Sequence, residues 1–400
     1  MKSKYDKYIL PVVNDFDTFI NFISEKDPSL SNKTLALGKN DCFELNSQLY
    51  FKINAIKASQ AQDKYIAIDL FLKLAVNSKL FLIQVNSKNK FKLVRTVFLE
   101  EFLNLNIYEK YAFLLECFWT KYEFEEELRN IIYHFTELIF VISKTNVQKK
   151  IYISDVNYGS TLFSYYSMFP KMLEIMGICE LECIDNVKSR YDDSIKSILP
   201  TVFGIEICKV LISTALDYLN VDDYYIDIIK GQYAINDIKV KKTFFELIAN
   251  IFEPKLINKS INCNSKINRE GNYILKVSLD KNLWRIIKLS HKTRLHELHL
   301  IIQEAFDFDN DHMYAFYTGT SYRNGKQFYC ADPFGESEEY EDLTIEDAEI
   351  YKGQQFIYLF DFGDMWEFKI QVMDFIENED PYSSPQIIES KGESVQQYPY

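Results

Sequence analysis

Apolar positions recur at helical spacing through most of the first 255 residues and alternate in strand fashion after residue 271. Phe16, Phe19, Ile20 and Ile23 form one stripe of a helix over 15–25, and Asp41 is expected to cap a second helix carrying Phe43, Leu45, Leu49 and Ile53. A third helix is expected over Tyr65–Ala75. Leu80–Val85 and Phe91–Val94 then read as short strands joined by a polar loop at 86–90, and Thr96 opens a helix through Phe98, Leu99 and Phe102. Helices followed by a basic two-stranded loop outline a winged helix.

The run Ile107–Trp119 and the stretch Phe124–Ile142 continue as amphipathic helices. A second unit of the same outline begins near Ile151. It has a helix over Thr161–Met176 stopped by Gly177, a strand Ile178–Ile184, a charged loop at 186–193, a strand Ile195–Leu199, and a helix opened by Thr201 and running to Leu219. One more helix is expected at Lys242–Phe252. Residues 256–271, rich in Asn, Ser and Lys, have little to bury and read as a linker.

Beyond it, Tyr273–Leu279 and Leu283–Leu289 read as a hairpin, and Thr293 is expected to cap a helix over Arg294–Phe306 with Leu295, Leu298, Ile302, Ala305 and Phe306 on one face. Strands follow at His312–Tyr317 and Gln327–Cys330, then a short helix near Thr344–Ala348. A last hairpin covers Phe356–Val372 around the turn Asp361-Phe362-Gly363-Asp364, where Gly363 is expected to take positive φ. The fold class that results is α+β: a helical N-terminal half with winged-helix-like units at 1–144 and 145–255, a linker at 256–271, and at 272–400 a β-grasp-like antiparallel sheet with one crossing helix.

Charge sharpens this division. Residues 271–400 hold 11 basic and 24 acidic residues, a net of −13, so the preceding 270 residues are neutral overall. An acidic face repels phosphate, which directs any nucleic-acid contact to the N-terminal half and leaves protein contacts to the C-terminal domain. Seven scattered cysteines fit buried thiols in a reducing compartment, and Cys179 with Cys183 lacks the second pair that a zinc site needs. Glu137 interrupts the longest apolar run, at 128–143, and the N-terminus has no signal-peptide pattern. A cytoplasmic protein without membrane contact is expected.

Two clusters carry candidate chemistry. Lys88, Lys90, Lys92 and Arg95 on the first hairpin, with Lys188 and Arg190 on the second, suit phosphate contacts; a solvated hairpin is the alternative. Asp361 and Asp364, with His299 and His312, suit a divalent metal, whereas the plainer reading makes the aspartates turn residues and His299 a core residue. The tripeptide at 361–363 lacks every other kinase element, and there is no P-loop, dinucleotide fingerprint, zinc-protease or serine-hydrolase motif. No cofactor is expected.

Several stretches together carry a family resemblance: Tyr273–Leu279, Trp284-Arg285, Leu295-His296-Glu297-Leu298-His299, Ile302-Gln303-Glu304-Ala305-Phe306, His312 with Phe316, Asp361-Phe362-Gly363-Asp364 with Trp366, and Gly392-Glu393 with Tyr398-Pro399. In order and spacing this third of the chain resembles the plasmid pRiA4b ORF-3-like family, which is also associated with a passenger gene of a bacterial insertion element. Phe308 and Phe368 stand where the family commonly has Trp and His, and loss of that His weakens any metal or acid–base role. The resemblance implies a fold and a link to mobile elements, and it brings no established activity. The leading expectation is therefore a non-enzymatic bacterial binding protein that contacts nucleic acid or protein through its winged-helix-like units. The alternatives are a metal-dependent enzyme on the Asp361, Asp364, His299 and His312 cluster, and a protein-only scaffold.

Overall fold

The computed structural model describes residues 2–397 apart from 86–89, 125–131, 158, 185–193, 236–241, 262–269, 319–326, 332–342, 349, 351 and 378–383. Lys88, Lys188, Arg190, the charged loop at 186–193, half of the linker and Tyr398-Pro399 thus lie outside the described residues. The chain divides into two compact units, Met1–Leu82 with Lys92–Cys263, and Ile83–Phe91 with Asn264–Tyr400. Among the described residues, no helix is long and apolar enough to cross a membrane.

The first unit opens with α1 (Asp6–Lys26), α2 (Lys39–Gln48) and α3 (Ile66–Asn77), which precede the paired strands β1 (Phe81–Val85) and β2 (Phe91–Arg95), a hairpin of which Ile83–Phe91 is counted with the second unit. Then come α4 (Val97–Leu103), α5 (Ile107–Thr120), α6 (Ile132–Lys144), α7 (Gly159–Phe163) and α8 (Met168–Ile175). A second antiparallel pair, β3 (Cys179–Cys183) and β4 (Ile195–Pro200), leads to α9 (Val202–Ser213), α10 (Asp223–Tyr233) and α11 (Phe244–Ala249).

Local chemistry sets several of these starts. Thr96 Oγ1 accepts the Phe98 amide and Thr201 Oγ1 the Gly204 amide. Asn106 and Glu109 form a reciprocal capping box on α5. The second helix starts after Gly38 rather than at Asp41, and the single helix expected over Thr161–Met176 is broken into α7 and α8. The two halves of this unit are tied through buried aromatics, with the Tyr111 hydroxyl donating to Met176 O at 2.7 Å and Trp119 Nε1 to Ala215 O at 2.7 Å. Gly177 sits at φ 74°, and a Cβ there would lie 2.6 Å from the Tyr8 carbonyl oxygen, so only glycine fits.

The second unit is a seven-stranded sheet. Its strands are β5 (Gly271–Ser278), β6 (Trp284–Ser290), β7 (Tyr314–Thr318), β8 (Gln327–Ala331), β9 (Gln355–Phe360), β10 (Trp366–Glu377) and β11 (Gln386–Lys391), ordered β11-β6-β5-β10-β9-β7-β8 with antiparallel neighbours. The crossing helix α12 (Leu295–Phe306) lays Leu295, Leu298, Ile302 and Phe306 on the inward residues Leu275, Val277, Ile287, Tyr358, Phe368 and Ile370. Each such buried side chain contributes about 2 kcal/mol. Strand β11 is an addition to the expected set, and the helix expected at Thr344–Ala348 is a turn.

Candidate functional site

The groove-reading geometry of a winged helix requires an outward face on the helix before the hairpin. No residue of α3 is exposed, and none of α8, its counterpart in the second half. The two helices pack against each other. Among the hairpin cations, Lys92 is bound to the Asp27 carboxylate at 2.8 Å and is also bonded to its carbonyl, leaving its side chain 16% exposed. Lys90 and Arg95 remain on the surface.

The histidine–carboxylate set of the C-terminal domain is divided rather than gathered. His299, at 0% exposure on α12, puts Nδ1 2.7 Å from the Tyr358 hydroxyl on β9 and Nε2 2.8 Å from Asn310 Oδ1. Gln303 Nε2 donates to the same hydroxyl at 2.5 Å, so that hydroxyl donates to His299 Nδ1 and the ring donates from Nε2 to Asn310. Burial presses the imidazole pKa down to about 4 and raises that of the Tyr358 phenol. His299 is thus a neutral residue with both nitrogens in use.

His312 lies apart on the surface, bonded through Nδ1 to Asp311 at 2.8 Å, and its pKa is raised chiefly by that bond. Its Nε2 stands 3.8 Å from Asp361 Oδ2. The other oxygen of Asp361 accepts the amides of Gly363 at 2.8 Å and Asp364 at 3.3 Å, the pattern of an Asx turn. Positive φ falls on Asp361 and Met365, at 54° and 58°, and not on Gly363 as expected, because the side-chain bond stabilises the left-handed conformation at Asp361. Among the described residues no three His, Cys, Asp or Glu side chains gather as metal ligands would.

Two features had no counterpart in the sequence reading. Among the described residues Arg285, 5% exposed, meets no carboxylate: Nε donates to Ala305 O near the α12 C-terminus at 2.6 Å, Nη1 to Lys391 O at 2.9 Å, and the guanidinium lies over Phe306 at 4.8 Å. Four neutral acceptors, one of them at a helix end, satisfy this cation, tying β6, α12 and β11 together. In the first unit, buried Asp15 of α1 accepts the amides of Tyr50 at 2.7 Å and Phe51 at 2.9 Å. The segment it holds borders a cleft of about 480 Å³, reached by α1, α3, α8 and β3.

No curated protein matches the chain. Among solved structures, the crystal structure of a protein of unknown function, MM3350 from Methanosarcina mazei Go1, is similar over 32% of this chain and 74% of that one, at 21% identity and a TM-score of 0.27. The family model described as plasmid pRiA4b ORF-3-like protein matches residues 272–397, so the C-terminal third of the chain, the sheet crossed by α12, is similar to that family.

Proposed function

We propose that this chain is a non-enzymatic binding protein that touches nucleic acid through the phosphate backbone alone, without reading bases. The observation that carries this reading is the burial of α3 and α8 against each other, which takes both groove-reading helices out of contact while Lys90 and Arg95 stay at the surface. Cations on a hairpin edge fit phosphates and supply position without sequence information. Lys88, Lys188 and Arg190, outside the described residues, carry charge of the same kind. The plasmid origin in the family's description is the link to mobile elements. The metal-dependent alternative has less support, since His299 would have to give up two buried hydrogen bonds before it could ligate.

The test is fluorescence anisotropy of the full chain with two duplexes of unrelated sequence over a salt series. The reading expects equal affinities and a log–log salt slope of about −3, as for three or so neutralised phosphates. A preference for one duplex beyond about tenfold would show base readout, and absence of binding at low salt would leave the protein-only scaffold.

A further inference from the structure

The segment between α2 and α3, residues 49–61, has no helix or strand, yet its first part is rigidly held. Asp15, 3% exposed, accepts two amides from it, and Asn46, 6% exposed, bonds both the Ile53 amide at 2.9 Å and the Ile53 carbonyl at 3.0 Å. Four hydrogen bonds from two buried side chains therefore fix the backbone over 50–53. This rigid stretch presents the Tyr50 ring and the Lys52 cation, and Ile56 follows just beyond it. Tyr50 is 71% exposed and set edge-on to Phe51, with ring centroids 5.0 Å apart, and Ile56 is 93% exposed. Folding gains nothing from holding such groups in water, whereas binding gains from anchors already in place, because their ordering cost is met before the partner arrives.

The 480 Å³ cleft beside Tyr50 and Phe51 lies within the size range of ligand pockets and holds one large side chain with its neighbours. Charge at its walls selects the occupant. Lys7 is paired with Glu180 at 3.1 Å, and Glu174 accepts the Leu181 amide at 2.9 Å. Lys52 and Lys171 line the same cleft and make no ion pair among the described residues. One or two carboxylates placed there meet opposite charge; a run of phosphates would also face Glu174 and Glu180.

We propose that this cleft receives an acidic peptide segment of a partner protein, which seats one aromatic or large aliphatic side chain against Tyr50 and Phe51 and sets a carboxylate beside Lys52 and Lys171. The site is independent of the hairpin cations. Tyrosine anchors next to a pocket dominate binding energy in protein interfaces, and here the anchor is built on a loop pinned from below.

The probe is the fluorescein-labelled peptide Gly-Glu-Trp-Glu-Gly, which carries two side-chain carboxylates beside one large ring, titrated against the full chain. Saturable binding tighter than about 1 mM is expected. Tyr50→Ala, which removes an exposed ring and leaves the fold intact, should weaken it at least about tenfold. Lys52→Glu combined with Lys171→Glu should do the same, while Tyr224→Ala, at another exposed tyrosine, leaves it unchanged. A second readout needs no variant: Cys183, exposed at the cleft, should be alkylated more slowly by iodoacetamide when the peptide is present. Three results would overturn the proposal: no saturable binding at about 1 mM, equal binding by wild type and Tyr50→Ala, or tighter binding of a thymidine dodecamer that is lost in Tyr50→Ala, which would make the cleft a base-stacking site.

Discussion

The imidazole of His299 lies flat on the phenol ring of Tyr314, with centroids 3.7 Å apart and planes 1° from parallel. Tyr314 in turn bonds His296 Nδ1 through its hydroxyl at 2.8 Å, so two histidines one helical turn apart are held by one strand residue. A stacked ring with both nitrogens hydrogen-bonded is fixed in position and in protonation. This is the chemistry of a core polar network rather than of a ligand or a general base.

Tyr358→Phe removes the hydroxyl that serves both His299 Nδ1 and Gln303 Nε2, leaving two buried polar groups without a partner. Gln303 Oε1 already has no partner among the described residues, and as an acceptor it cannot supply the donor that His299 Nδ1 loses. A loss of about 2–3 kcal/mol is expected in denaturant unfolding of the C-terminal unit. A change under about 0.5 kcal/mol would show that the network does not bear on stability.

The same network fixes a pH dependence. The folded pKa of His299, about 4, lies below the ordinary value of 6.5, so between these values the unfolded chain holds a proton that the folded chain does not. Stability therefore rises with pH through this window, is complete above 6.5, and is lost as pH falls towards 4, by on the order of 3 kcal/mol. Hydrogen exchange of the β9 amides between pH 4.5 and 7 measures it. His299→Leu should flatten the profile.

Asp15→Ala frees the amides of Tyr50 and Phe51, and its own desolvation, which raises the carboxyl pKa, shows how deeply the anchor is set. The variant is expected to be cut by trypsin at Lys52 at least about tenfold faster than wild type, because local opening of that segment becomes cheaper by one to two hydrogen bonds. Cleavage at the wild-type rate would mean that the loop is held by other contacts.

Much of the fold was legible because its signals are local. Thr96 and Thr201 cap helices as expected since a hydroxyl next to an apolar run has one use, and the alternation in Tyr273–Leu279 admits one inward face. The errors share a different cause. Strand β11 has six exposed residues and so no alternation; only its pairing to Trp284–Lys288 defines it. Thr293 was expected to cap α12, but it is buried and Arg294 takes that place, with Glu297 closing on its amide. The sequence singled out His299, His312, Asp361 and Asp364 as one set, which the fold divides, and it did not point to the partners of His299, Tyr358 and Asn310, 59 and 11 residues away. One available signal was the hydroxyl of Tyr358 on an otherwise apolar inward face, which has to find a partner when buried. Asp15, an acid on the inward side of α1, offered the same clue.

The most direct test of the account is nitrogen NMR of the imidazoles in the full chain, whose five histidines allow His299 to be assigned by its loss in His299→Gln. The account predicts a neutral ring protonated at Nε2, unchanged from pH 8 down to about 5 and undisturbed by added Zn²⁺ or Mn²⁺. Titration near 6.5, or a shift of the His299 nitrogens on adding metal, would contradict it and restore the metal-dependent enzyme as the better reading.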